Sequence, residues 1–266
     1  MTIFKESGFP STQTCTSLTN IQVKKSKYHV PKTVELLETE FLHPLIKGVD
    51  ITPFHVNISG YIVPFPYDER DVRLPINFVE LSRRAPKLAA FYQKYKELIL
   101  AQTQYNERII GKKGEFYALA RVGAYSFADC YVVFRDNTKW GAAVVETINT
   151  NWGGLKRPQF QNHAVSICED SEGNYINLDE AHFICGIMNT PVAFEYVQKS
   201  SDSRSYPVRP RIYIPKYNKK DMIHKKISNL SKEAHINFDN EQKIRNIMEE
   251  LNDLYLIITK RHSVLK

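Results

Sequence analysis

Residues 115–136 read EFYALARVGAYSFADCYVVFRD, two apolar, aromatic-rich runs joined by a glycine and a small polar link. EFYALARV (115–122) and CYVVFRD (130–136) both have strand composition, which predicts a β-hairpin at the middle of the chain. AAVVET (142–147) and AVSIC (164–168) continue this β-rich centre, broken by the Gly-rich loop NTNWGGLKRPQF (149–160). Upstream, SGYIVPFPYDE (59–69) alternates and predicts a strand stopped by prolines. TVELLETEFLHPLIKG (33–48) shows helical and then mixed apolar spacing, and the first 30 or so residues read as a loosely held polar arm.

Helices are expected on either side. From Pro86, PKLAAFYQKYKELILAQ (86–102) places Leu88, Phe91, Tyr92, Tyr95, Leu98 and Ile99 on one face. In INLDEAHFICGIMN (176–189), Asn177 is the expected N-cap, with Glu180 at capping-box spacing. Thr190 and Pro191 are the expected cap and first residue of the next helix, TPVAFEYVQK. DMIHKKISNLSKEAHI (221–236) gives a third helical pattern. NEQKIRNIMEELNDLYLIITKRH (240–262) carries a narrow stripe of Ile244, Ile247, Leu251, Leu254 and Ile258, suited to packing on the chain's own core or on a partner helix. The composition therefore predicts an α+β fold with a mixed β-sheet, flanking helices and a C-terminal helical segment. The expected boundaries are an arm at 1–34, a domain at 35–218 and helices at 219–266.

At 266 residues, 42% of them hydrophobic, the chain has ample material for a core. No apolar run approaches a membrane span and the N-terminus lacks the order of a signal peptide, so a cytoplasmic setting without a membrane partner is expected. Cys15, Cys130, Cys168 and Cys185 are far apart and lack ligand spacing, which predicts free thiols and no metal site. The net charge of +7 favours a polyanionic partner. Arg204, Arg209, Arg211, Lys216, Lys219, Lys220, Lys225 and Lys226 crowd one segment against the single acid Asp221, and Lys24, Lys25, Lys27 and Lys32 form a smaller cluster.

Motifs for catalysis are absent from the sequence: no FxGxG, GxxxxGK[ST], HExxH or GxSxG occurs. His43, His55, His163, His182, His224, His235 and His262 share no spacing. Glu38, Glu40, Asp68, Glu69 and Asp71 lie near one another without the lysine typical of metal-dependent nucleases. What remains are loop residues of the types that approach DNA. Trp152 lies between Asn149, Asn151 and the pair Gly153 and Gly154, followed by Lys156 and Arg157. Glycine admits the backbone, Asn pairs with adenine edges, and Arg or Lys reaches guanine or phosphate. A solvent loop anchored by one tryptophan is the plainer alternative.

LETEFLHPLIKGVDI (37–51), GEFYALARVGAYSFADCYVVFRD (114–136), EAHFICGIMNTPVAFEYV (180–197) and RPRIYIPKYNKKDMIHKKISNLSKEAH (209–235), in that order, resemble the target-recognition domain of bacterial N6-adenine DNA methyltransferases from restriction-modification systems. The resemblance runs from about residue 35 to about residue 258. It implies a domain that reads a DNA site and presses the duplex against a catalytic half while the adenine is flipped out. IMNTPVAFEYV then corresponds to a structural helix pair and IYIPKYN to a strand after the basic loop. Two departures stand out: the catalytic [NDS]PP[YFW] module is missing, with NTPV at 189–192 only superficially similar, and Tyr131 stands where lysine is frequent.

The expected function is sequence-specific recognition of double-stranded DNA. Catalysis and S-adenosylmethionine would belong to a methyltransferase domain or subunit elsewhere, and this chain would need no cofactor. The expected DNA contacts are Asn149, Asn151, Trp152, Lys156, Arg157, Arg204, Arg209, Arg211, Lys216 and Lys220. A nuclease or modifying enzyme with an unrecognised site is the alternative, and a general nucleic-acid or protein-interaction module is the third reading.

Overall fold

The computed structural model describes residues 3–22, 30–101, 114–136, 139–161, 163–199 and 210–264. The strands in chain order are β1 (Phe4–Glu6), β2 (Cys15–Asn20), β3 (Val34–Glu38), β4 (Leu42–Ile46), β5 (Ile51–Thr52), β6 (His55–Val56) and β7 (Ile62–Pro64). They continue with β8 (Cys130–Arg135), β9 (Ala142–Glu146), β10 (Ile148–Thr150), β11 (Gly154–Lys156), β12 (Gln159–Phe160) and β13 (Ala164–Ile167). The helices are α1 (Phe78–Arg84), α2 (Pro86–Lys94), α3 (Lys96–Ala101), α4 (Leu178–Met188), α5 (Pro191–Lys199), α6 (Met222–Ile236) and α7 (Glu241–Val264). The fold is α+β. Among the described residues no helix is long and apolar enough to cross a membrane.

The chain forms two compact units, residues 1–45, 60–128 and 147–159 in the first and 46–59, 129–146 and 160–266 in the second. None of the five crossings between the units falls at 34 or 218, where boundaries were expected. The first unit holds a sheet of order β12–β4–β7–β1–β2–β3. Its N-terminal strands are integral to it: β1 pairs antiparallel with both β2 and β7, and Phe4 and Leu18 are fully buried. The polar arm is thus a correction for these residues. Their serines and threonines lie in a ladder, where β-branched Thr suits the pleat. Residues 33–48 form β3 and β4 around a short 3-10 turn, where the helical spacing gives way to pairing with β2 and β7.

Helices α1 and α2 lay Leu81, Leu88, Phe91 and Tyr92 on this sheet's core. The start of α2 combines Pro86 as first residue with a distant cap, the buried Glu38 carboxylate, which accepts the backbone N–H groups of Lys87 and Leu88 at 2.8 Å each. Those are two of the donors a helix start leaves unmet. The helix expected over 86–102 is parted at Tyr95 into α2 and α3.

The central hairpin is a second correction. Only 130–135 of the opening stretch is a strand, and its partners are β9 and β13, in the second unit. Residues 115–128 run through turns and a 3-10 segment, with Arg121 at φ 59° interrupting any extended run. Their aromatic rings fill the first unit's core instead: Tyr117 stacks on Tyr92 at 4.7 Å and donates its hydroxyl to the Ile76 carbonyl.

In the second unit, β13–β8–β9 packs against α4, and α4 packs against α6 and α7. The caps at Asn177 and Thr190 form as expected: the Asn177 side chain accepts Glu180 N–H at 3.0 Å, and Thr190 Oγ1 accepts Ala193 N–H at 3.2 Å. At Gly186 a Cβ would lie 2.8 Å from Ile227 Cγ2, so glycine sets the close approach of α4 and α6. The stripe Ile247, Leu251 and Ile258 is buried in the unit's own core, with Ile244 and Leu254 packed beside it.

Candidate nucleic-acid interface

Residues 148–156, expected as a loop, form a tight antiparallel ribbon in the first unit, with Ile148 opposite Lys156, Asn149 opposite Leu155 and Thr150 opposite Gly154. Side chains alternate across a ribbon. Asn149 and Leu155 therefore share one face, which is exposed, and Ile148, Thr150 and Lys156 share the half-buried other. Leu155 is 72% exposed. Asn151 at the tip is also exposed, and its amide donates to Glu6 at 3.3 Å.

Several contacts stiffen the ribbon. Thr150 Oγ1 accepts Gly153 N–H at 3.0 Å and donates to the Gly154 carbonyl at 2.9 Å, and Gly154 adopts φ 66°, a conformation suited to glycine. Gly153 is so close to the 39–41 turn that a Cβ would lie 2.8 Å from Thr39 Cγ2. Trp152 packs against the unit's core. Lys156 Nζ donates to the carbonyls of Thr39 (2.8 Å) and Glu40 (3.2 Å), and burial lowers its pKa. Arg157 pairs with Glu69 at 2.8 Å, and its carbonyl accepts from the ring of His43 at 2.9 Å. Burial pulls His43 down to about 4, so this ring is neutral at pH 7. Of the five residues expected here, Asn149 and Asn151 face outward, whereas Trp152, Lys156 and Arg157 hold the ribbon in place.

The basic segment lies in the second unit, and Arg204 and Arg209 fall outside the described residues. Arg211, Lys216 and Lys220 are exposed. Lys216 is engaged, at 2.8 Å from Glu172 and 3.4 Å from Asp170. The strand expected at 212–218 does not form; burial alternates along 211–214, and the run lays Ile212, Ile214 and Tyr217 on the core. Leu155 and Tyr213 are surface residues that the sequence reading did not single out; alternation in RIYIP (211–215) was the signal for Tyr213, and none pointed to Leu155.

Tyr131 is buried with its ring edge-on to Phe160 at 4.9 Å, so it offers no backbone contact to a ligand. NTPV does not fit a catalytic motif: Asn189 is buried, its amide accepts Ala142 N–H at 2.9 Å and donates to the Ala142 carbonyl at 2.7 Å. No edge of that amide is left to hold an adenine. The acidic residues near 68 are likewise structural, since Asp68 and Glu80 bind both Arg70 and Arg84, and Arg84 also binds Glu40. Comparison of the chain with protein-family models and with curated proteins finds no match.

Proposed function

We propose that this chain is a non-catalytic recognition module for double-stranded DNA, working in the cytoplasm with an N6-adenine methyltransferase domain or subunit that carries S-adenosylmethionine. The resemblance of its four segments to target-recognition domains supports this reading. So does the engaged Asn189, which leaves the nearest likeness to a catalytic motif without a free amide. The observation that carries it is the ribbon 148–156: a two-stranded ribbon fits the major groove, and this one is anchored from behind while Asn149 and Asn151 face outward. Rigid support is what base readout requires.

Selection of bound duplexes from a random pool by the full chain, alone and with an adenine methyltransferase catalytic domain, tests the proposal. One enriched sequence containing adenine is expected. A pool that stays random in both arms contradicts it, as would a clear micromolar isotherm when the chain alone is titrated with S-adenosylmethionine.

A further inference from the structure

We infer that a second surface, where the run 211–213 meets the end of α7, grips the phosphodiester backbone of duplex DNA. The inference rests on the reading above and adds residues that it did not include. Ile212 and Ile214 pack on the core, and Arg211 and Tyr213 between and beside them are exposed. The run is fixed in place, because Tyr255 of α7 donates its hydroxyl to the Tyr213 carbonyl at 2.9 Å. Outside, the Tyr213 ring stacks on His262 with centroids 4.0 Å apart and planes 20° apart. Neither the Tyr213 hydroxyl nor the His262 ring nitrogens bond to a described residue.

The cations around this stack are arranged by the fold. Arg261, next to His262, donates to Asp221 at 3.1 Å, which ties the end of α7 to the start of α6. Lys219 and Lys220 immediately precede Asp221 and are exposed. Arg211, Lys219 and Lys220 form no ion pair with a described residue. Arg261 is thus paired with one carboxylate, while Arg211, two positions before Tyr213, and Lys219 and Lys220, just before Asp221, stay exposed. Arg and Lys are donors only, and Tyr adds a further donor, which matches a row of phosphate oxygens. The aromatic stack holds His262 at the surface, where a flexible side chain would otherwise lose entropy on binding.

The test is fluorescence anisotropy of a labelled duplex of random sequence with the full chain over a range of salt concentrations. For the triple variant Arg211→Gln, Lys219→Gln, Lys220→Gln, the slope of log affinity against log salt should flatten by about 2.7, at about 0.9 per phosphate. Tyr213→Phe and His262→Phe, which keep the stacked rings at the surface, should each weaken binding roughly fivefold, the effect of one hydrogen bond. Unchanged slope and affinity in all three variants, with the wild type still binding duplex, overturn this inference and leave the proposed function standing. A wild type that binds poly-glutamate and no duplex at any salt concentration overturns both.

Discussion

The ribbon at 148–157 and the run at 211–220 are both polar and basic, yet they treat their cations in opposite ways. In the ribbon, two backbone carbonyls hold Lys156 and Glu69 holds Arg157, so the outward face carries amides and Leu155. In the other run only Lys216 pairs with a described residue, and Arg211, Lys219 and Lys220 are exposed. A cation with protein partners positions the chain. One without them is available to a polyanion. Under the proposed function, the difference would leave shape and base contact to the ribbon and charge to the run, with one region in each unit.

Acid is the strongest way to break this contrast, because a neutral histidine lies beneath each region. His43 bonds the ribbon's base, and His224 accepts the Asn218 N–H at 3.0 Å beneath the basic run. Burial lowers both, His43 to about 4, and brings His182 down to about 3. A folded pKa below the unfolded value of 6.5 means that the fold favours the neutral ring. The stability is then full above pH 6.5 and declines as pH falls toward the folded value. His43 and His182 should each cost on the order of 2 kcal/mol between pH 6.5 and 5. Urea unfolding across that range checks it, and an unfolding midpoint that does not change would refute the neutral assignment.

Lys156→Met sharpens the contrast next. It leaves two carbonyls short of their charged donor and should lower stability by about 1 to 3 kcal/mol, whereas Lys220→Met should stay within about 0.5 kcal/mol of wild type. Equal losses in denaturant unfolding would erase the distinction between the two regions. Arg157→Ala should have a smaller effect than Lys156→Met, about 0.2 to 1 kcal/mol, because its partner Glu69 is largely exposed. A double-mutant cycle with Glu69→Ala measures that coupling directly.

Helix starts were legible because their signals are local. Asn177, Thr190 and Pro86 each act within three residues of their own position, and the α7 stripe repeats over many turns. The missing parts depend on partners far along the chain. Glu38 caps a helix 49 positions away, and Lys156 reaches carbonyls 116 and 117 positions away. EFYALARV has strand composition, yet its aromatics serve a helix-covered core, so composition without a pairing partner misplaced it. The five residues expected at 149–157 are adjacent in the sequence and are read there as a group. Their division into outward and anchoring side chains follows only from the ribbon register.

The most direct measurement compares a preferred duplex with a scrambled one for two variants. Asn149→Ala with Asn151→Ala should shrink the affinity ratio about tenfold or more, since each base contact contributes roughly 1 to 3 kcal/mol of discrimination. Arg211→Gln with Lys220→Gln should lower both affinities together and keep the ratio fixed. The reverse pattern, an unchanged ratio in the ribbon variant and a collapsed ratio in the charge variant, would contradict the account.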